Sequence, residues 1–402
     1  MSNEPPVVAV EMGTSRIRAL VGEVRDGGQC MITGLGECPS RGVRKGEIVH
    51  VETAETCLRS ALQQAEENGH VHIHQVHLVV TGGHIDSLVN RGSVPVMDPD
   101  HEVLEEDVEH AMEHARSVGL SADRRVLHTI CQHYYVDDQE GVPDPVGMEG
   151  AKLSVDMLVI HGLLNRMRNL VRVVLGAQVE VEDVAFSGLC AALAVLTRED
   201  KENGVVMVDL GGGTTDFVAY ARGVIADAGC FAVGGDHVSN DIARGLHLSV
   251  AEAEHLKETE GGVLVDLAAR SQKVVLGGEA GQAARAVKLA DLNTIIHARM
   301  DETLRLVRDR MEAKGLLHAL GGGVVLTGGG ARTKDLLPLA EKVFGLPSRI
   351  GCPVGLAGLA VVAESPQFAA PAGMVKYAFR TRPPEKGLGS AIKKLFQSWF
   401  GS

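Results

Sequence analysis

The residues best suited to chemistry form one short run, residues 209–215, with the sequence DLGGGTT. Apolar stretches at 205–208 and 217–220 flank the run, and each has the length and composition of a buried strand. Two strands around a glycine-rich turn predict a hairpin. Gly211, Gly212 and Gly213 let backbone N–H groups approach an anion closely, and Thr214 and Thr215 add hydroxyl donors. The run therefore predicts a phosphate-binding hairpin.

The same pattern occurs a second time, about 200 residues earlier, at residues 7–21. An apolar strand there ends in a carboxylate and a glycine, followed by small hydroxyls, a basic residue and a second strand. These residues are Glu11, Gly13, Thr14, Ser15 and Arg16. Two copies predict a duplicated domain in which each half offers one hairpin to a shared phosphate chain. Glu11 and Asp209, at the strand ends, are the predicted Mg²⁺ carboxylates, holding the ion through water.

Two further glycine clusters accompany these hairpins. Residues 328–330 (Gly328, Gly329 and Gly330) follow a strand pattern at 324–326 and precede a helical pattern, so they can place backbone against a nucleoside. Gly234, Gly235 and Asp236 stand just before another predicted helix. Because the N-terminus of a helix favours anions, this second cluster predicts an additional anion or ribose site.

In this order and spacing, the motifs resemble the nucleotide-binding motifs of the superfamily of actin, heat-shock chaperones and sugar kinases. Residues 11–14 are similar to its first phosphate motif, 209–214 to the second, and 327–330 to its adenosine motif. Glu11 stands where the superfamily usually has an aspartate. In this respect the chain resembles one branch, the FtsA family of cell-division proteins. The resemblance implies an α/β fold, the actin-like ATPase fold, with ATP and Mg²⁺ between two ribonuclease-H-like halves. It also implies that Glu254 and Lys257 lie beside adenosine, although their spacing alone suits an ordinary surface pair on a helix.

The resemblance covers essentially the whole chain and divides it into parts. An inserted α+β subdomain at 83–162 distinguishes the FtsA branch from actin and from kinases, and in the family it contacts neighbouring subunits and later division proteins. The other expected parts are the first actin-like domain (1–82, 163–185 and 355–375), the second actin-like domain (186–234 and 310–354) and a small lobe closing over the nucleotide (235–309). Residues 186–192 and 355–363 resemble the two connecting helices.

Composition narrows the class of protein. The chain has 402 residues, which predicts two to four domains or subdomains. Its net charge of −13 argues against nucleic acid as a partner. Seven cysteines occur without a CxxC pair, which predicts reduced thiols and no zinc site. The N-terminal residues lack the pattern of a signal peptide, and no run of apolar residues is long enough to predict a membrane span.

The C-terminal tail differs chemically from the body. Residues 376–402 carry six basic residues and one acid, so their net charge is +5 while the remainder is −18. Four prolines predict a linker over 365–387. Residues 388–402 then predict an amphipathic helix lying in an anionic membrane surface, and its contact residues are Leu388, Ile392, Lys393, Lys394, Leu395, Phe396, Trp399 and Phe400. The alternative is a helix packed on the body or on a protein partner.

The resemblance implies a function that unites these features. FtsA proteins bind ATP, polymerise on the inner face of the cytoplasmic membrane at the division site, and tether the C-terminal tail of FtsZ through the small lobe. Hydrolysis is expected to be slow at most, and no residue is identifiable as the catalytic base. Two rivals stay open: a small-molecule kinase of the same superfamily, and a pilus-assembly actin homologue without the tail helix.

Overall fold

The structure is a computed structural model that describes residues 5–25, 29–265, 272–276 and 285–382. Two mixed β-sheets, each flanked by helices, lie on either side of a cleft, and a third sheet forms the inserted subdomain. This is the α/β architecture that the sequence predicts. No helix in the described ranges is long and apolar enough to cross a membrane.

The first sheet contains the N-terminal hairpin. Its strands are β1 (Val7–Met12), β2 (Arg16–Arg25), β3 (Gln29–Pro39), β6 (Gln75–Val80), β11 (Glu180–Phe186) and β19 (Leu356–Gly358). They lie in the order β11-β6-β1-β2-β3-β19. A separate small hairpin consists of β4 (Val43–Arg44) and β5 (Glu47–Ile48).

The second sheet repeats the pairing of the first. Its strands are β12 (Val205–Leu210), β13 (Thr215–Ala221), β14 (Val224–Phe231), β17 (Val324–Thr327) and β18 (Ser348–Ile350). They lie in the order β14-β13-β12-β17-β18. In this sheet β12 pairs antiparallel with β13 and parallel with β17, just as β1 pairs antiparallel with β2 and parallel with β6. The duplication expected from the two motifs is therefore present in the topology.

The inserted subdomain is a four-stranded sheet with one helix on it. Its elements are β7 (Asp86–Pro95), α2 (Glu105–Arg116), β8 (Arg124–Val136), β9 (Gln139–Val142) and β10 (Lys152–Leu163), with the strand order β7-β10-β8-β9. Ala111 and Ala115 of α2 pack with Leu153, Val155 and Met157 of β10 in a separate hydrophobic core. The prediction of a small α+β insert is confirmed.

Helices cover both large sheets. Those packed with the first sheet or leading from it are α1 (Val51–Gly69), α3 (Leu164–Gly176), α4 (Ser187–Val195), α10 (Ala360–Ala363) and α11 (Ala369–Thr381). The short α5 (Arg198–Asn203) follows α4 and packs against β13 of the second sheet. In α1 the buried residues Ala54, Leu58, Ala61 and Ala65 recur at the helical period, and this stripe packs into the core.

The remaining helices belong to the second half. They are α6 (Gly235–Leu246), α7 (Val250–Thr259), α8 (Leu289–Ala313) and α9 (Leu336–Phe344), with the short hairpin of β15 (Lys273–Leu276) and β16 (Arg285–Lys288) before α8. Leu292, Ile296, Leu304 and Val307 bury one side of α8 in the second core. Single turns of 3₁₀ helix occur at Leu317–Ala319, Gly329–Arg332 and Pro366–Phe368.

The end of the described chain corrects two expectations. Residues 366–381 were expected in a linker, yet they form a 3₁₀ turn and α11, whose residues Ala369, Met374 and Val375 are buried. Pro371 lies in the first turn of α11, where the missing N–H breaks no helical hydrogen bond. The prediction of a second connecting helix at 355–363 is also wrong, because that segment holds β19 and the four-residue α10. Instead, α11 packs against α4.

Candidate functional site

A cleft of about 630 Å³ opens between the two large sheets. All but one of the predicted nucleotide and metal residues line it. From the first hairpin these are Glu11, Gly13, Thr14, Ser15 and Arg16; from the second, Asp209, Gly211, Gly212, Gly213 and Thr214; from the small lobe, Gly234, Gly235, Asp236, Glu254 and Lys257; and from the third loop, Gly328, Gly329 and Gly330. Thr215 is fully buried away from the cleft, and its hydroxyl donates to the carbonyl of Val233 at 2.9 Å.

The first hairpin brings a carboxylate to the cleft. Glu11 is the second-last residue of β1, and Arg18 opposite it on β2 donates a hydrogen bond at 3.1 Å to its Oε2. Burial raises the pKa of Glu11, and the guanidinium of Arg18 opposes this effect. Arg16 forms an ion pair with Glu37 at 3.3 Å. The hairpin therefore presents one carboxylate with a cation already beside it.

The second hairpin brings a more deeply buried carboxylate. Only 9% of Asp209 is exposed. Its pKa lies well above the usual value, first because of burial and then because Asp216 and Glu11 carry like charges. A Cβ atom at Gly328, which has a φ of 82°, would lie 2.1 Å from Oδ1 of Asp209. Only glycine fits at this position, so the third loop can close directly over this carboxylate.

The two hairpins touch each other at their turns. A Cβ atom at Gly212 would lie 3.1 Å from Cβ of Ser15. Thr14 Oγ1 accepts a hydrogen bond from the N–H of Gly46 at 3.1 Å, which fixes the threonine and leaves its hydroxyl hydrogen free to donate. The turn between β4 and β5 thus supports the first hairpin.

Helix α6 begins against the second hairpin. The N–H groups of Gly235 and Asp236 donate to the carbonyls of Gly211 at 3.0 Å and Gly212 at 2.7 Å. The predicted anion site at this helix start is therefore modified, because two of its amides already have partners. Burial raises the pKa of Asp236, and the nearby charge of Glu254 adds to that rise.

Lys257 ties α7 to the start of α6. Its Nζ donates to Glu254 at 2.7 Å, to Ser239 Oγ at 2.9 Å and to the carbonyl of Gly235 at 3.3 Å. Ser239 also donates to Glu254. The pair Glu254 and Lys257 is therefore part of the cleft wall rather than an isolated surface pair.

Hydrogen bonds hold the third loop on the side away from the cleft, whereas there is free space on the side that faces the cleft. The hydroxyl of Thr327 lies 2.8 Å from the carbonyl of Gly351, and the N–H of Gly328 donates to the carbonyl of Pro366 at 3.1 Å. By contrast, no atom would lie within 4 Å of a Cβ at Gly329, which faces the cleft. The loop thus leaves room for a ligand at this one position.

Two important cleft residues escaped the sequence prediction. Asp216 lies opposite Asp209 in the register of β12 and β13, and Thr81, which follows β6, donates to its Oδ1 at 2.6 Å. Burial raises the pKa of Asp216 to about 6. The alternation of the hairpin contained a signal for Asp216, since paired residues share a sheet face. The sequence held no comparable signal for Thr81, which lies far away in the chain.

Comparison with known proteins agrees with this geometry. The profile of the family described as "Cell division protein FtsA" matches residues 206–373, and that of "SHS2 domain inserted in FTSA" matches residues 82–161. "Cell division protein FtsA" of Escherichia coli (strain K12) is 34% identical over 409 residues, covering 98% of this chain and 97% of that protein. This chain belongs to the FtsA family. FtsA of Pseudomonas aeruginosa is also 34% identical, over 92% of this chain and 88% of its own length.

Solved structures support the fold of this FtsA-family chain. The PilM–PilN type IV pilus biogenesis complex contains a chain that matches with a TM-score of 0.65 and 16% identity, covering 94% of this chain and 99% of that one. MreB5 of Spiroplasma citri bound to ADP matches with a TM-score of 0.53 and 14% identity, covering 94% and 98%. At these identities the likeness establishes the actin-like fold alone. The predicted membrane residues, 388–400, lie outside the described residues.

Proposed function

We propose that this FtsA-family chain binds ATP with Mg²⁺ in the cleft between its two large sheets. The observation that carries the proposal is the meeting of two glycine hairpins and a third glycine loop around one cleft. Glu11, Asp209 and Asp216 also reach this cleft. Backbone N–H groups and hydroxyls suit a phosphate chain, and buried carboxylates beside them suit a hard cation.

Each wall of the cleft has a separate task in this proposal. Residues 13–15 and 211–214 hold the phosphates through backbone N–H groups and through the free hydroxyl hydrogen of Thr14. The backbone of residues 328–330 lies along one side of the nucleoside, and Glu254 and Lys257 lie on its other side. Lys257 also donates to the carbonyl of Gly235 at the start of α6. A nucleoside that contacts Lys257 therefore also affects α6 and, through it, the position of the second hairpin.

Glu11 and Asp209 are the proposed residues for Mg²⁺. Among the described residues no group of three carboxylate, histidine or cysteine side chains converges as a metal site. Two carboxylates can serve Mg²⁺, because this ion keeps several waters and binds through few protein ligands. The ion, when bound, neutralises phosphate charge. The carboxylates supply the opposite charge and orient its waters.

Nucleotide titration tests this part of the proposal. A fluorescent ATP analogue should bind the full-length protein more tightly with Mg²⁺ than with a chelator. Asp209→Asn should remove most of that enhancement while leaving the affinity in chelator nearly unchanged. Asp200→Asn is a matched control, because Asp200 pairs with Arg349 and does not line the cleft. Equal binding by the wild type and Asp209→Asn under both conditions would contradict the assignment.

We propose slow ATP hydrolysis at most. A general base must stand within reach of the attacking water. The three carboxylates at the hairpins already have structural neighbours: Arg18 pairs with Glu11, Thr81 donates to Asp216, and the third loop covers Asp209. A turnover number comparable with that of a metabolic kinase would contradict this expectation.

The small lobe offers a groove for the C-terminal tail of FtsZ. It lies between α6 and α8, has a volume of about 360 Å³, and is lined by Asp241, Arg244, Thr294, Ile295, Ala298, Arg299 and Glu302. Arg299 donates to Asp241 at 2.6 Å and so crosses from one helix to the other. An apolar strip beside fixed charges suits a short amphipathic peptide.

A peptide of the FtsZ tail tests this groove. Fluorescence anisotropy should show binding to the wild type and a loss of at least tenfold in Ala298→Glu, which places a charged side chain in the groove. Ala313→Glu is the control, because Ala313 is an exposed residue at the other end of α8. Unchanged binding by Ala298→Glu would remove this surface from the proposal.

We further propose that the chain polymerises head to tail on ATP and is held at the cytoplasmic face of the membrane, at the division site, by residues 388–402. Trp399 is the single tryptophan, so its emission reports that segment alone. Anionic vesicles should shift the emission to the blue, and at lower lipid concentration when ATP is present, because polymers bind through many tails. No shift with ATP binding intact would exclude the membrane tether.

A further inference from the structure

Arg310, near the end of α8, bridges two carboxylates from different parts of the fold. Its guanidinium binds Asp227 of β14 with two hydrogen bonds, Nε to Oδ2 at 2.6 Å and Nη2 to Oδ1 at 3.0 Å. Nη2 also donates to Oδ1 of Asp86 at 2.9 Å. Because Asp86 begins β7, this single side chain joins α8, the second sheet and the inserted subdomain.

A serine reinforces the same junction. The hydroxyl of Ser87 lies 3.0 Å from Oδ1 of Asp227 and 2.7 Å from the carbonyl of Ala228, and it accepts a hydrogen bond from the amide of Ala228. Asp227 is 1% exposed, whereas half of the Asp86 side chain is exposed. The buried Arg310–Asp227 ion pair therefore stabilises the fold, whereas the more exposed Arg310–Asp86 ion pair can be removed at little cost in stability.

The helix that carries Arg310 also lines the cleft. Ile296, Met300 and Thr303 of α8 are cleft residues. Arg310 follows Thr303 by seven residues, which puts it on the same stripe of the helix roughly 10 Å further along. A packed helix moves as a rigid element, so a displacement at Met300 is carried to Arg310.

We propose that α8 transmits nucleotide occupancy from the cleft to the inserted subdomain, with Arg310 and Asp86 as the coupling contact. This inference rests on the proposed binding of nucleotide in the cleft. Closure of the small lobe on a nucleotide moves the cleft end of α8, and the Arg310–Asp86 contact passes that movement to β7. The orientation of the insert then depends on whether the cleft is filled.

Hydrogen exchange of the full-length protein with and without Mg²⁺ and ATP tests the coupling. In the wild type, ATP should change exchange of the amides of β7 and β10. In Asp86→Ala, which removes the oxygen that accepts from Arg310, that change should fall at least fivefold, while the dissociation constant for ATP, measured in the same samples, stays within twofold of the wild type. Arg310→Lys, which keeps the charge but lacks the guanidinium that binds Asp227 and Asp86 together, should show the same loss.

Arg308→Lys is the matched control, since Arg308 lies on the same helix and pairs with Asp309 and Glu312 instead of the insert. It should keep the full response. ATP binding without a response of β7 and β10, or a full response in Asp86→Ala and Arg310→Lys, would overturn the inference and leave the nucleotide proposal standing. Absence of ATP binding by the wild type would overturn both. Asp86→Ala keeps the test decisive if Arg310→Lys fails to fold.

Discussion

Thr81, which follows β6 of the first sheet, donates a 2.6 Å hydrogen bond to the carboxylate of Asp216 on β13 of the second sheet. One side chain from each half thus meets the other inside the cleft. Asp216 is 3% exposed, and its pKa rises from 3.8 to about 6 because of burial. The carboxylate of Asp216, which accepts this contact across the cleft, therefore destabilises the fold when it is charged and no cation is bound.

This cost predicts the effect of Asp216→Asn on stability. The folded-state pKa exceeds the unfolded value, so the stability contributed by Asp216 is fully present below about pH 4 and is lost as pH rises through about 6. Without nucleotide, Asp216→Asn should therefore gain roughly 1–3 kcal/mol over the wild type between those pH values. Urea unfolding at several pH values measures it, and a difference independent of pH would contradict the prediction.

Gly329→Ala should separate ligand binding from folding. The position is open in the structure and its φ is not in the left-handed region, so the methyl group meets no atom of the protein. Thermal unfolding without ligand should stay within about 1 °C of the wild type, as expected for a change within ±0.5 kcal/mol. The affinity for ATP should fall about tenfold or more, because the methyl group occupies the ligand's space. Gly119→Ala, at an open position in the insert, should change neither quantity.

Gly234→Ala should have the opposite signature and damage the fold first. A Cβ atom there would lie 2.6 Å from the carbonyl oxygen of Gly211 and 2.7 Å from that of Gly212. The second hairpin must shift to admit it, and overpacking of this kind typically costs about 1–3 kcal/mol. Calorimetry should show a lower melting temperature even without nucleotide. A variant as stable as the wild type would contradict the close packing of the start of α6 against the second hairpin.

His128→Gln should flatten the loss of stability in acid. Nε2 of His128 accepts a 3.0 Å hydrogen bond from the amide of Phe186, and burial lowers the pKa of His128 to about 4. Because this pKa lies below the usual 6.5, the stability from neutral His128 is present above about 6.5 and is lost as pH falls through about 4.

Glutamine keeps an acceptor but does not take up a proton in this range, so only the histidine protein carries that loss. Between those pH values the wild type should lose roughly 2–3 kcal/mol more than His128→Gln. The slope against pH is the quantity to compare, since the substitution also changes packing against Tyr377. Parallel slopes would contradict the assignment.

The local parts of the site could be predicted from the sequence, and the long-range parts could not. A glycine turn between two apolar runs fixes its own conformation, which is why both hairpins lie where they were expected. Thr81 reaches Asp216 only through the packing of two sheets, and no pattern near Thr81 carries that information. The amides of Gly235 and Asp236 looked free for an anion, but the fold supplies carbonyl partners from the hairpin.

Helix α11 shows a second limit of prediction. Four prolines predict a linker over residues 365–387, and one of them, Pro371, lies in α11. The burial of Met374 and Val375 against α4 and the first sheet outweighs that composition. Proline is tolerated in the first turn of a helix, so Pro371 does not oppose α11.

Helices α4 and α11 meet backbone to backbone at Gly373. A Cβ atom at Gly373 would lie 1.7 Å from the carbonyl oxygen of Cys190, and around this contact Val205, Met207 and Val218 of the second sheet share one core with the first sheet. Two rods that touch backbone to backbone can turn about the contact but cannot slide closer. A rotation between the two halves is therefore centred on this contact, and a small angle there gives a larger displacement at the distant small lobe.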